Sequence, residues 1–257
     1  MTGDTLWAIR CVWLRYFDVF RKGLGYALVT TFIEPLLFLV SFGYGVGSMV
    51  GSVRVAGAEV SYRQFIFAGI LGQTVLFQGF FEAAYGGFIR MYYQRIFQAI
   101  ATTPITLEEV LWGELLWDAS KATFASSIVL FIGSLTGDFS PIGALAALPL
   151  CFVCALLFAG MGLLVAATAR SIDAISYPQY LLVFPMFLFC GVFFPLENLP
   201  GPLQIAAWVL PLTSVNSLAR TLTLGFPFRW WTVPILAFWL VLLVWASRRA
   251  MTRRLVK

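Results

Sequence analysis

Apolar residues gather in six charge-poor runs separated by shorter polar segments. The hydrocarbon core of a bilayer, about 30 Å thick, is crossed by roughly 20 apolar residues of helix, because a helix satisfies its own backbone donors and acceptors where water is absent. On that measure the first span runs from about Tyr26 to Val50 and holds one acid, Glu34. The second runs from about Gln64 to Ala84, with Glu82 near its end. The third covers about Ala122 to Leu135 and can begin as early as Leu111. The fourth lies within Phe139 to Ala169, where no charge occurs. The fifth runs from about Ile175 to Phe194 and carries Pro178 and Pro185, and the sixth runs from about Trp230 to Ser247. The pattern predicts an all-α integral membrane protein of six transmembrane helices, 1–257 forming one domain, with both termini on the same side.

Composition agrees. Of 257 residues, 60% are hydrophobic and 11% charged, against about a quarter charged in soluble domains; mean hydropathy is +0.88. A soluble fold of this length lacks the interior to hide so much apolar surface, and 17% aromatic residues exclude a disordered chain. There is no histidine, so the commonest general base and metal ligand are both missing; this argues against an enzyme in its own right and against a metal site. Cys151 and Cys154 form C-x-x-C, but inside a long apolar run with no second pair, and together with Cys11 and Cys190 they read as inert thiols. The first 22 residues carry four basic and two acidic side chains and no apolar core, so no secretory signal peptide is expected.

The net charge of +5 has a side. With six spans, one face collects the N-terminus, the segment between spans two and three, the turn at Arg170 and the C-terminus; 13 of the 17 Lys and Arg lie there, and only Arg54, Arg63, Arg220 and Arg229 lie on the other. Basic loops stay in the cytoplasm, which places both termini in the cytoplasm. Charges scattered over loops do not form the surface that nucleic acid requires. Trp112, Trp117, Trp230, Trp231 and Trp245 fall near span ends, at headgroup depth.

Three segments lie outside the spans. In 1–24, Trp7, Cys11, Leu14 and Phe17 or Asp18 recur at helical spacing among Arg10, Arg15, Arg21 and Lys22, an amphipathic helix suited to the membrane surface or a simple anchoring arm. In 85–110, Ile96, Phe97, Ile100 and Ala101 repeat helically; Thr103 and Pro104 then break the chain, and Thr106 with Glu109 forms a capping box for the next helix. A short cytoplasmic helix bearing Tyr92, Tyr93, Arg95 and Gln98 serves as a docking element for a soluble partner or as a connector packed on its own domain. In 195–225, two apolar pieces, around Leu203 to Leu210 and Leu212 to Leu224, are divided by Pro211; too short or too polar to span, they read as re-entrant or interfacial helices that line an outer gate or cap the bundle.

No phosphate loop, nucleophile elbow or zinc-protease helix motif occurs. The glycines from Gly43 to Gly51 end a span, so they read as close packing or a bend. Glu34, at mid-span and before Pro35, is open to a proton role, as in a proton-coupled carrier, or a structural or gating contact. Glu114, Asp118 and Lys121 form a charge cluster on successive turns. A chain that spans, docks and gates but shows no power source needs an ATPase from elsewhere.

Five stretches carry a family resemblance: FIEPLLFLVSFGYGVGSMV (32–50), YRQFIFAGIL (62–71), FEAAYGGFIRMYYQRIFQAIATTPI (81–105), LEEVLWGELLWDASKA (107–122) and GVFFPLENLPGPLQIAAWVLPLTSVNSLAR (191–220). The chain resembles the ABC-2-type exporter permeases, most closely the NodJ family, over nearly its full length. One departure is Ser214, where related sequences often have histidine after the LPLT stretch. The resemblance implies a type V exporter-like fold with an N-terminal interface helix, a cytoplasmic coupling helix and outer re-entrant helices, in a bacterial inner membrane. It implies a homodimer with two copies of an ABC ATPase subunit that binds ATP and Mg, no cofactor residing in this chain, and ATPase coupling through Tyr93, Arg95, Ile96, Phe97, Gln98 and Pro104. The expected cargo is an amphipathic glycolipid, lipo-oligosaccharide or polysaccharide, with drug-like or other lipid cargo as the alternative. A path at the dimer seam would be lined by Phe38, Phe42, Phe184 and Phe187, whose rings otherwise face lipid or pack in the core.

Overall fold

The computed structural model describes residues 3–55, 57–100 and 102–255, with no side-chain placement for residues 3, 26–28, 30, 32, 58 and 255. The amphipathic segment forms α1 (Gly3–Lys22). The first span follows as α2 (Leu24–Phe38), continued by wide π-type turns over Leu39–Val46 and a last turn over Gly47–Val50. A hairpin of β1 (Ser52–Val55) and β2 (Ala58–Ser61), in register from Ser52↔Ser61 to Val55↔Ala58, leads to α3 (Tyr62–Phe81). Its path continues through π-type turns at Glu82–Gly86 and Ile89–Tyr93. Then come α4 (Ile96–Ile100), α5 (Leu107–Leu135) and α6 (Pro141–Thr168). An interrupted run ends in α7 (Phe184–Phe189) and precedes α8 (Gly201–Val209), α9 (Pro211–Leu224) and α10 (Thr232–Leu255).

Among the described residues five helices are long and apolar enough to cross a bilayer: Ile33–Val50, Tyr62–Tyr93, Leu107–Leu135, Pro141–Thr168 and Thr232–Arg254. The expected fifth span does not reach that length. Its backbone stays helical from Asp173 to Phe189, but regular α winding is interrupted, passing through Asp173–Ile175, Ser176–Pro178, Gln179–Val183 and Phe184–Phe189 before the chain leaves helical geometry at Cys190. Pro178 and Pro185 each remove a backbone donor and crowd the preceding turn, which accounts for the interruptions. The hairpin was not foreseen, because four-residue strands between two spans leave almost no periodicity to read.

Local signals act where expected. Thr106 Oγ1 accepts from Glu109 N at 3.4 Å while Glu109 Oε2 accepts from Thr106 N at 2.8 Å, a complete capping box that starts α5. The stripe foreseen on α1 is a different matter. Ala8, Ile9, Val12 and Tyr16 are its buried face, packed on α5, whereas Trp7 and Leu14 stay exposed. The helix thus carries two apolar faces, and the sequence periodicity picked out the exposed one.

The centre of the bundle is α3, enclosed by α5, α6 and α9, with Phe65, Ile66, Phe67, Ile70, Leu76 and Phe80 wholly buried. Close approach there depends on small residues. A Cβ added to Gly162 on α6 would stand 2.5 Å from the Phe80 carbonyl oxygen and 2.8 Å from Ala83 Cβ, so the two backbones meet only because that position is bare. By contrast, α2 leaves Val29, Ile33, Leu37 and Val40 exposed, and α10 leaves Phe238, Val241 and Trp245 exposed. The outward helix α10 is fastened at its basic end. Arg248 pairs with Glu108 at 2.8 Å, and Arg254 donates to the Ala167 carbonyl that ends α6 and lies 4.4 Å over the Tyr92 ring.

Gly162→Val is expected to lower stability by about 1–3 kcal/mol, the usual cost of forcing volume into a packed contact. Equilibrium unfolding in detergent micelles checks this; an unchanged midpoint would contradict the close α3–α6 approach.

Candidate functional site

Glu82 and Arg90 stand about two turns apart at the basic end of the second span and so share a face. Across from them, Glu114 and Asp118 stand one turn apart on α5. The structure brings all four together. Arg90 reaches Glu82 at 3.0 Å, Glu114 at 2.5 Å and Asp118 at 3.1 Å, and Lys121 reaches the other oxygen of Glu82 at 2.5 Å. Glu114 and Asp118 are wholly buried. From α1, the Tyr16 ring covers the guanidinium at 5.2 Å. Burial, and then the Glu114 carboxylate beside it, push the Tyr16 phenol well above its ordinary pKa, so it remains neutral. Of the expected local cluster, Glu114 and Asp118 do share a cation, but it is Arg90, and Lys121 pairs with Glu82 instead of with them. The hub is thus Arg90, a residue read from sequence only as a topology charge. The shared face of Glu82 and Arg90 was the signal that could have found it.

The chain leaves this centre through Arg95, whose φ of +50° turns it abruptly into α4. Of the six residues expected to couple to an ATPase, Tyr93, Arg95, Gln98 and Pro104 are exposed and Ile96 is half-buried. Phe97 is only 1% exposed and belongs to one buried apolar cluster with Val12, Tyr16, Met91, Val110, Leu111 and Leu115. It is the anchor of the helix, not part of its outer surface.

The four phenylalanines expected to line a path form one aromatic seam. Phe38 stacks on Phe42 at 5.9 Å and meets Phe187 at 5.9 Å, and Phe184 meets Phe187 at 6.4 Å. Two rings missed by the sequence reading complete it: Phe77 of α3 lies 5.0 Å from Phe187, and Phe193 lies 4.7 Å from Phe42 and 4.8 Å from Phe187. Edge and tilted contacts of this kind hold rings in place without closing the surface. Nearer the basic face, Tyr85 donates to Gln179 at 2.8 Å and ties the second span to the interrupted run. Beside the seam, Val29, Ile33, Glu34, Leu37, Phe38, Ser41 and Phe42 line an open cleft of about 600 Å³. Glu34 is half-buried at its wall and makes no ion pair among the described residues. No three His, Cys, Asp or Glu side chains converge as metal ligands among the described residues.

A family model described as "ABC-2 type transporter" matches residues 8–224. The chain belongs to the ABC-2 type transporter family. It is 34% identical over 234 residues to Nodulation protein J of Rhizobium leguminosarum bv. trifolii, covering 88% of each chain, and 33% identical to Nodulation protein J of Rhizobium meliloti (strain 1021), covering 86% of this chain and 83% of that one. It is also 24% identical to the inner membrane transport permease YadH of Escherichia coli (strain K12), over 75% of this chain and 73% of the relative. The ABC-2 permease is thus a mostly helical, multi-pass membrane protein whose matched region contains the charged centre, α4 and the aromatic seam.

In this ABC-2 permease the Lys121–Glu82 pair is expected to show strong coupling. A double-mutant cycle of Glu82→Gln and Lys121→Met should return an interaction of about 1–3 kcal/mol, read from detergent unfolding. Strict additivity would mean that the two charges act separately.

Proposed function

We propose that the chain is the membrane half of an ATP-driven exporter, in which two copies pair along the first span and the interrupted run. The aromatic seam carries this reading. It lies beside the open cleft, and next to it Ile33, Leu37, Val40, Tyr180 and Leu181 expose apolar surface that suits a second copy. The seam then becomes the path between the halves. Aromatic faces stack on sugar rings and accept acyl chains, so the cargo is an amphipathic glycolipid, lipo-oligosaccharide or polysaccharide. The cleft at Glu34 is apolar on most of its wall, which also favours an acyl chain from a simpler lipid or a drug-like molecule. Glu34 serves there as a polar contact at the seam.

Power comes from two copies of a separate ATPase subunit, which hold ATP and Mg and dock on α4 through Tyr93, Arg95, Gln98 and Pro104. Closure of those subunits presses α4. Phe97, seated against Val12, Tyr16 and Leu111, passes the displacement to the charged centre, and the second and third spans move with α1 as one piece. With the interrupted run also crossing, as a sixth segment, the 13-to-4 bias of Lys and Arg favours a docking face and both termini in the cytoplasm, in a bacterial inner membrane.

The double variant Arg95→Asp/Gln98→Asp should abolish co-purification of the ATPase while its melting temperature stays near wild type. Phe97→Asp should instead lower stability by about 3 kcal/mol or more, as an uncompensated charge in a packed cluster does. Normal ATPase association in the double variant would overturn the docking assignment.

A further inference from the structure

On the face opposite the basic one, α9 places Thr213, Ser217 and Arg220 on one side at helical spacing. Arg220 is 7% exposed. Its guanidinium lies 3.9 Å over the Phe65 ring and donates to the carbonyl oxygens of Gly191 at 2.6 Å and Phe65 at 3.5 Å. Nε finds no hydrogen-bond partner among the described residues, and no carboxylate there stands within ion-pair distance of Arg220. A buried cation answered at hydrogen-bond range only by two carbonyls, with a ring beneath it and the nearest carboxylate beyond ion-pair distance, bears a large desolvation penalty. Arg220 lines a cavity of about 40 Å³ together with Ser217, Trp208, Glu197 and Arg229. Glu197 is half-exposed and turns to Arg229, 3.8 Å away. The cavity wall therefore carries two guanidinium groups and one solvent-screened carboxylate.

We propose that this cavity binds one small monovalent anion, of halide or nitrate size, between Arg220 and Arg229. The charge balance calls for one negative ion. A water needs about 10–15 Å³ by the same measure, so the space takes one such ion with a water or two and is too small for a sugar or a phospholipid headgroup. The bound ion neutralises Arg220 and clasps α9 to the loop at Arg229. Because Arg220 also holds the Gly191 carbonyl, at φ +74° just beyond α7, the ion fastens α9 to the end of the interrupted run. This site is independent of the cargo and of the ATPase.

The test uses full-length protein in lipid nanodiscs, titrated with sodium bromide against sodium gluconate at constant ionic strength, with thermal unfolding followed by tryptophan emission. Bromide should raise the melting temperature saturably and gluconate, too large to enter, should not. Arg229→Gln should weaken half-saturation about tenfold, the size expected for losing one charge-assisted hydrogen bond, and Ser217→Leu, which fills the cavity, should abolish the response. Arg220→Gln should also abolish it; if that variant fails to fold, the other two decide the matter. Equal stabilisation by both salts, or the same half-saturation in wild type, Arg229→Gln and Ser217→Leu, would show a general salt effect only and overturn the proposal.

Discussion

A single guanidinium, that of Arg90, meets three carboxylates in the interior of the basic half of the bundle, and that half is organised around it. Charges taken out of water repay their desolvation only when each finds a partner, and removing one partner from such a group costs about 3–5 kcal/mol. The constraint is therefore geometric as much as energetic. Glu82 and Arg90 fix the end of the second span, Glu114 and Asp118 fix the third, and Tyr16 brings α1 over both. Phe97 seats α4 in the apolar layer beside this group. Four segments, reaching in sequence from Tyr16 to Asp118, become one unit.

The opposite half is held differently. There Arg63 pairs with Asp138 at 2.8 Å, Tyr62 donates to the Phe193 carbonyl at 3.3 Å, and Asn216 and Arg220 hold the carbonyls of Cys190 and Gly191. These contacts tie α9 and the loop before α6 to the top of α3. Between the two fastened ends lies the aromatic seam, held by ring contacts rather than by ion pairs.

Much of this was legible in the chain because it is local. Five long apolar helices follow from run length alone, and the capping box at Thr106 and Glu109 follows from spacing of three. The short helix after Arg95 and the pair of helices divided at Pro211 were also readable, since Pro and helical periodicity act within a few residues. What escaped depends on contacts between distant segments. Nothing in the neighbourhood of Arg90 says that Glu114 lies opposite, and nothing around Phe97 says that it joins an apolar cluster with Val12 of α1. The same applies to α1, where two apolar faces compete and periodicity cannot say which meets protein. The fifth run keeps helical geometry from Asp173 to Phe189, but apolar length alone did not show where Pro178 and Pro185 would interrupt its α winding.

The most direct test of the central claim is hydrogen exchange of Arg90→Gln against wild type in nanodiscs. If Arg90 joins these segments, backbone exchange should rise together in α1, residues 82–93, α4 and the first half of α5, while α8 and α9 stay protected. An increase confined to residues 82–93 would contradict the account, since the segments would then be held by apolar packing alone.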